Sequence, residues 1–117
     1  MSTEFHIEKS FDRPDVAVFR VSGRLDAKNA KDLMDACQQA KNAGRTRVVI
    51  NLAGVAFVAS SGIGTLLALT DEFREAGGGV HLVALSESVK SVVDLLNLGQ
   101  FLNVTSSEAD AYGAIGA

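Results

Sequence analysis

Two serines, Ser60 and Ser61, stand side by side ahead of Gly62-Ile63-Gly64. A short loop separates them from the apolar run Val48-Val49-Ile50-Asn51-Leu52. After them, Ile63, Leu66, Leu67, Thr70 and Phe73 recur at helical spacing. The serines therefore fall where a helix begins. A helix N-terminus carries N–H groups without partners and a partial positive charge, so it receives anions. A hydroxyl placed there serves as a cap, a ligand contact or a phosphorylation site. On spacing alone, Ser60 as N-cap is the simplest reading, because serine is a favoured cap whose loss costs about 1 kcal/mol. A second hydroxyl is more than a cap requires. The stretch is not a Walker A loop, since no Lys-Ser/Thr pair follows the glycines. It is not a nucleophile elbow either, since Val58 occupies the place of the first glycine.

Other chemistry-bearing residues are sparse. Asp26 reads as the cap of an earlier helix. It follows one strand as Ser60 follows the next, so parallel pairing of those strands would open both residues on one sheet edge, where ligand and partner sites collect. His6 and His81 read as surface or sheet-face side chains. The single cysteine, Cys37, falls on an apolar helical stripe with Met34 and reads as core. Asp71, Glu72, Arg74 and Glu75 read as a solvated face. There is no metal-ligand spacing, paired-carboxylate site or nucleophile–base pair, so no enzyme and no metal is expected.

The elements that must position these residues can be read in order. Phe5 to Ser10 alternates as a half-exposed strand, and Asp12-Arg13-Pro14-Asp15 is a turn. Val16 to Val21 is a β-branched second strand, ended by Gly23-Arg24-Leu25-Asp26. A helix then carries Ala30, Leu33, Met34, Cys37 and Ala40 on one face and closes at Gly44. Arg47 to Leu52 is the third strand. The helix after Ser60 runs to about Ala76 and stops at Gly77-Gly78-Gly79. Val80 to Leu85 is the fourth strand. Ser86 or Ser88 caps a helix bearing Val89, Val92, Val93 and Leu96, with Asn97 as its left-handed end. Phe101 to Val104 is a short last strand. Ser107 caps a terminal helix with Asp110 as reciprocal partner, and Gly113 and Gly116 predict fraying.

The order β-β-α-β-α-β-α-β-α predicts an α/β fold. Its sheet is mixed and mostly parallel, with an antiparallel N-terminal edge strand and right-handed crossovers. Helices gather mainly on one face, and Arg20, Asn51 and His81 share the other. The 117 residues form a single domain, 1–117, able to bury roughly 60–70% of its unfolded surface. Hydrophobic residues make up 47% and the net charge is −3, with no Lys/Arg run. That excludes a basic nucleic-acid or membrane-surface footprint. No apolar stretch is long enough to span a bilayer. A single cysteine and an N-terminus without a signal-peptide pattern point to the cytoplasm.

Three stretches, in order, resemble the STAS domain family, most closely its stand-alone bacterial anti-sigma-factor antagonists. Gly23-Arg24-Leu25-Asp26 is similar to that family's Gly-x-Leu-Asp. The run from Asn51 to Gly64 is similar to its signature, Asp-Leu-(x)4-Phe-(Met/Ile/Val)-Asp-Ser-(Ser/Thr/Ala)-Gly-Leu-Gly. Val92 to Leu98 resembles its third helix and Gly-Leu ending. Asn51, Ala59 and Asn97 depart from the usual Asp, Asp and Gly.

The resemblance implies a non-enzymatic partner switch without cofactor. An anti-sigma factor that is also a serine kinase would bind the unmodified domain, free its sigma factor, and phosphorylate Ser60. A serine phosphatase would reverse this. Asp26, Ala59, Ser60, Ser61 and Gly62 would form the partner-binding, or possible nucleotide-binding, site. With Ala59 in place of the carboxylate, the alternative is an unphosphorylated scaffold subunit of a lipid-transport ABC complex or a stress-signalling assembly.

Overall fold

The computed structural model describes residues 5–115. The readings that fall on Met1-Ser2-Thr3-Glu4 and on Gly116 lie outside them. The fold is built on two strands, β2 (Val16–Leu25) and β3 (Arg47–Val58), which pair in parallel. In β2, Ala17, Phe19 and Val21 enter the large core while Val16 and Val18 face the other way into a smaller one. In β3, Val48, Ile50 and Leu52 alternate with Val49 in the same manner. Strands buried on both faces must be central, because apolar side chains on either side need cover. β1 (His6–Arg13) pairs antiparallel with β2, and β4 (Gly79–Val83) and β5 (Asn103–Thr105) add in parallel beyond β3. The sheet order is β1-β2-β3-β4-β5, the predicted mixed sheet with an antiparallel edge.

Helices α1 (Ala27–Asn42), α2 (Ser60–Glu75) and α3 (Glu87–Leu95) supply Leu33, Cys37, Leu66, Phe73, Val89 and Val93 to the large core. Among the described residues only α4 (Glu108–Ile115) covers the opposite face, through Ala111 against Val16, Val18, Val49 and Val83. Gly44 follows α1 with φ +86°, and Asn97 follows α3 with φ +56°, both as the sequence predicts. Cys37 is fully buried, and desolvation pushes its thiol up to about 12.

Several boundaries differ from the sequence reading. β3 does not stop at Leu52 but runs to Val58, since pairing with β2 continues past two register shifts. β2 likewise extends to Leu25. β1 continues through Asp12 and Arg13, leaving only Pro14 and Asp15 in the turn. β4 ends at Val83, because Ala84 adopts φ +52° and leaves the strand. A 3-10 turn at Leu98–Gln100 was not foreseen, and it shifts the last strand to Asn103–Thr105. Leu96 lies past the end of α3 and is exposed, not core. Met34 is only half-buried, packed against the core margin. Glu72 departs from the solvated face of α2 and accepts a hydrogen bond from Gln38 of α1. The Ser107 cap receives the Asp110 amide at 3.1 Å, with no reciprocal bond from the Asp110 side chain among the described residues.

The polar residues on the α4 face form one network. Arg20 donates from Nε and Nη2 to the two Glu108 carboxylate oxygens, each at 2.8 Å, and from Nη1 to Glu8 at 2.8 Å. Asn51 Nδ2 donates to the same carboxylate at 3.0 Å. Glu108 thus pins α4 to β2 and β3. His81 shares this face but not the network. Its buried Nδ1 has no partner, and burial, reinforced by Arg47, holds its pKa below the ordinary histidine value.

The Arg20 hydrogen bonds, opposed in part by desolvation and aided by Asn51, hold the Glu108 carboxyl below its ordinary value. A lowered folded-state pKa adds stability above the unfolded value and loses it as pH falls through the folded one. Glu108→Gln should therefore cost about 1–2 kcal/mol at pH 7, between an exposed ion pair and a buried charged hydrogen bond. Urea midpoints should show this difference shrinking towards pH 3. An equal difference at both pH values would rule out the charged latch.

Candidate functional site

The parallel register places Leu25 opposite Val58, so the residues that follow each strand emerge together. Asp26 and Ser60 therefore start two neighbouring helices on one edge of the sheet. The connection is direct: the Ala59 amide donates to the Leu25 carbonyl at 3.0 Å. Asp26 caps α1 as expected, its carboxylate accepting the Asn29 amide at 3.1 Å.

Ser60 does not cap α2. The helix begins at Ser60 itself, and the N-cap position is Ala59, extended at φ −88° and ψ 168°. Its methyl accepts no hydrogen bond, so α2 starts without a side-chain cap. The Ile63 amide closes the first turn on the Ala59 carbonyl at 3.1 Å. The amides before it have no intrahelical acceptor. Ser60 and Ser61 are both exposed, while Asp26 and Ala59 are half-buried. The serine hydroxyls are thus free of the capping role that was the simplest reading of their sequence.

Gly62 is buried for a steric reason. A Cβ there would lie 2.5 Å from the Leu25 carbonyl oxygen and 2.9 Å from Leu25 Cγ. The first turn of α2 passes so close to the end of β2 that no side chain fits between them. Gly64, two residues on and exposed on another side of the helix, would meet nothing within 4 Å. Of the two glycines flanking Ile63, only Gly62 is required by contact.

The edge is braced on its other side by α3. Ser86 caps α3 and its hydroxyl donates to the Val55 carbonyl at 2.6 Å, while the Ser88 hydroxyl donates to the Ala56 carbonyl at 2.9 Å. These bonds tie α3 to the strand extension that carries the serines. Sequence reading did not single out Arg24 and Phe57. They sit opposite each other in the extended pairing, and the Arg24 guanidinium lies 4.3 Å from the Phe57 ring centroid. Because β3 reads as ending at Leu52, nothing in the sequence places Phe57 across from β2.

Among the described residues no group of His, Cys, Asp and Glu could hold a metal, and no helix is long and apolar enough to cross a membrane. The edge offers hydroxyls, free amides and one engaged carboxylate.

Comparison with known proteins agrees with this architecture. A family model for the STAS domain matches residues 11–111. The anti-sigma factor antagonist SpoIIAA in its unphosphorylated form superposes with a TM-score of 0.79 at 22% identity, covering 96% of this chain and 98% of that one. An anti-sigma factor antagonist from Mycobacterium paratuberculosis gives 0.84 at 23% identity, over 100% and 98%. The Bacillus cell fate determinant SpoIIAA in its phosphorylated form gives 0.73 at 22% identity, over 94% and 99%.

Three substitutions test the geometry. Gly62→Ala should destabilise by about 1–3 kcal/mol through overpacking, although alanine favours helix. Gly64→Ala should gain up to about 1 kcal/mol by propensity. Chemical denaturation reads both, and equal effects would refute the close approach. Ala59→Asp should add about 1 kcal/mol by supplying the missing cap. No gain would mean that the N-terminus of α2 is already satisfied.

Proposed function

The chain belongs to the STAS domain family, and from that premise we propose that it is a non-enzymatic anti-sigma-factor antagonist switched by phosphorylation at Ser60. The observation that carries this reading is the exposure of Ser60 at an uncapped helix start. Among the described residues its hydroxyl makes no hydrogen bond, so in this reading a kinase reaches it without breaking one. In this reading the unmodified protein docks a kinase-type anti-sigma factor through the edge formed by Asp26, Ala59, Ser60, Ser61 and Gly62, and the sigma factor is released. The kinase then transfers the γ-phosphoryl of ATP to the Ser60 oxygen, the serine proton leaves to solvent or base, and ADP departs. A serine phosphatase restores the hydroxyl. The likeness to both the phosphorylated and unphosphorylated forms of SpoIIAA supports the reading.

The energetics separate fold from docking. A phosphoserine adds about −1.5 to −2 charge at neutral pH. At the start of α2 that charge meets the helix dipole, a favourable effect of about 0.3–1 kcal/mol. Inside a docked interface the same group must be desolvated or placed against the partner, at a cost of several kcal/mol. Each 1.4 kcal/mol is about tenfold in affinity. The modification should therefore change partner affinity far more than stability.

Ala59 supports one competing reading, a constitutive scaffold subunit of a transporter or stress-signalling assembly. Without the usual carboxylate before the serine, kinase recognition is weakened. A stable transporter ATPase partner whose binding is insensitive to Ser60→Asp would establish that role.

Incubation with the cognate kinase-type anti-sigma factor and Mg-ATP, followed by peptide mapping, should find phosphate on Ser60 and none on Ser60→Ala. Ser60→Asp should weaken that complex at least tenfold while shifting stability by less than about 1 kcal/mol. A wild-type protein that neither binds nor accepts phosphate would overturn the reading.

A further inference from the structure

The charges around this edge run against the rest of the molecule. The chain carries net charge −3. Yet α1 and α2 have no acidic residue in their first turns, whereas α3 and α4 begin with Glu87, Glu108 and Asp110. In place of an acid, the first turn of α1 holds Lys28, which is exposed. A cation there opposes the helix dipole. Neither Lys28 nor Arg24 joins an ion pair among the described residues. Arg20, by contrast, is paired with two carboxylates. The one carboxylate between the two cations, Asp26, is engaged as the α1 cap.

Small side chains and one aromatic ring of β3 are exposed on the Arg24 side of the edge. Ala53, Gly54 and Ala56 of β3 are exposed, and Phe57 is 40% exposed beneath the Arg24 guanidinium. An arginine seated over an aromatic ring is partly preorganised, and Arg24 is itself exposed. Arg and aromatic residues dominate binding hot spots.

We propose that Arg24 and Lys28, with Phe57 as apolar floor, form the docking seat for an acidic segment of the protein partner. The seat rests on the reading of the Ser60 edge as a partner-switch surface, and it names the chemistry of what docks there. The occupant supplies one or two carboxylates to Arg24 and Lys28 and an apolar side chain to Phe57. Charge complementarity identifies it: among the described residues the two cations join no ion pair, and one of them stands where its own helix disfavours it. The seat also explains the sign of the switch. A phosphate on Ser60 adds negative charge beside cations that the partner's acids require, so it competes with them.

The test uses the full chain and the kinase-type anti-sigma factor in calorimetric titrations at low and moderate salt. Wild type should bind with an affinity that falls as salt rises. Arg24→Glu and Lys28→Glu should each weaken binding at least tenfold and flatten that salt dependence, and Phe57→Ala should weaken it with the salt dependence retained. All three side chains are exposed, so the variants should keep wild-type circular dichroism and denaturation midpoints. Reversing the matching acid of the partner to lysine should restore binding to Arg24→Glu. Wild-type binding with unchanged affinity and salt dependence in both charge reversals would overturn the seat alone. Absence of any wild-type binding would overturn the switch reading and the seat with it.

Discussion

Leu25 fixes the geometry on which the rest of this edge depends. Its side chain is fully buried in the main core. Its carbonyl accepts the Ala59 amide and lies where a Gly62 side chain would otherwise be. The next residue, Asp26, caps α1. One residue therefore sets where β2 ends, where α1 begins and how closely α2 crosses the strand end. Interiors packed at near-crystalline density leave little play at such a point. The exposed serines inherit their position from it, and they take no part in holding it.

That division of labour gives a switch its physical basis. The fold is held by the two-sided burial of β2 and β3, by the helices over the larger core, and by Glu108 clasped between Arg20 and Asn51 on the other face. None of these contacts involves Ser60, Ser61, Arg24 or Lys28 side chains. Charge can change at the edge without reaching the core. Under the proposed switch, modification of this edge changes partner affinity and leaves those scaffold contacts in place.

Sequence periodicity made much of this legible. Alternation in β2, β3 and β4 placed Arg20, Asn51 and His81 on the less covered face, and they share it. Capping chemistry located Asp26 and Ser107, and of the pair Ser86 and Ser88 the structure selects Ser86. The extension of β3 was not legible. Ala53-Gly54 reads as a loop, and only pairing with β2 through irregular register holds it as strand. The same extension hid the pairing of Arg24 with Phe57. Serine's preference for the N-cap makes Ser60 the simplest cap on spacing alone, yet the chain places Ala59 there and leaves the end without a side-chain cap. The Glu108–Arg20 clasp joins residues 88 apart in sequence, and no local pattern reports it.

The central claim is that partner docking and Ser60 share one edge. Amide shift mapping tests it most directly: the isotope-labelled chain is titrated with the kinase-type anti-sigma factor. Perturbations should concentrate at Arg24 to Asn29, Phe57 to Gly62 and the start of α3, and should largely disappear when Ser60 carries phosphate. Perturbations centred on β1 or α4, or a footprint unchanged by phosphate, would contradict the account.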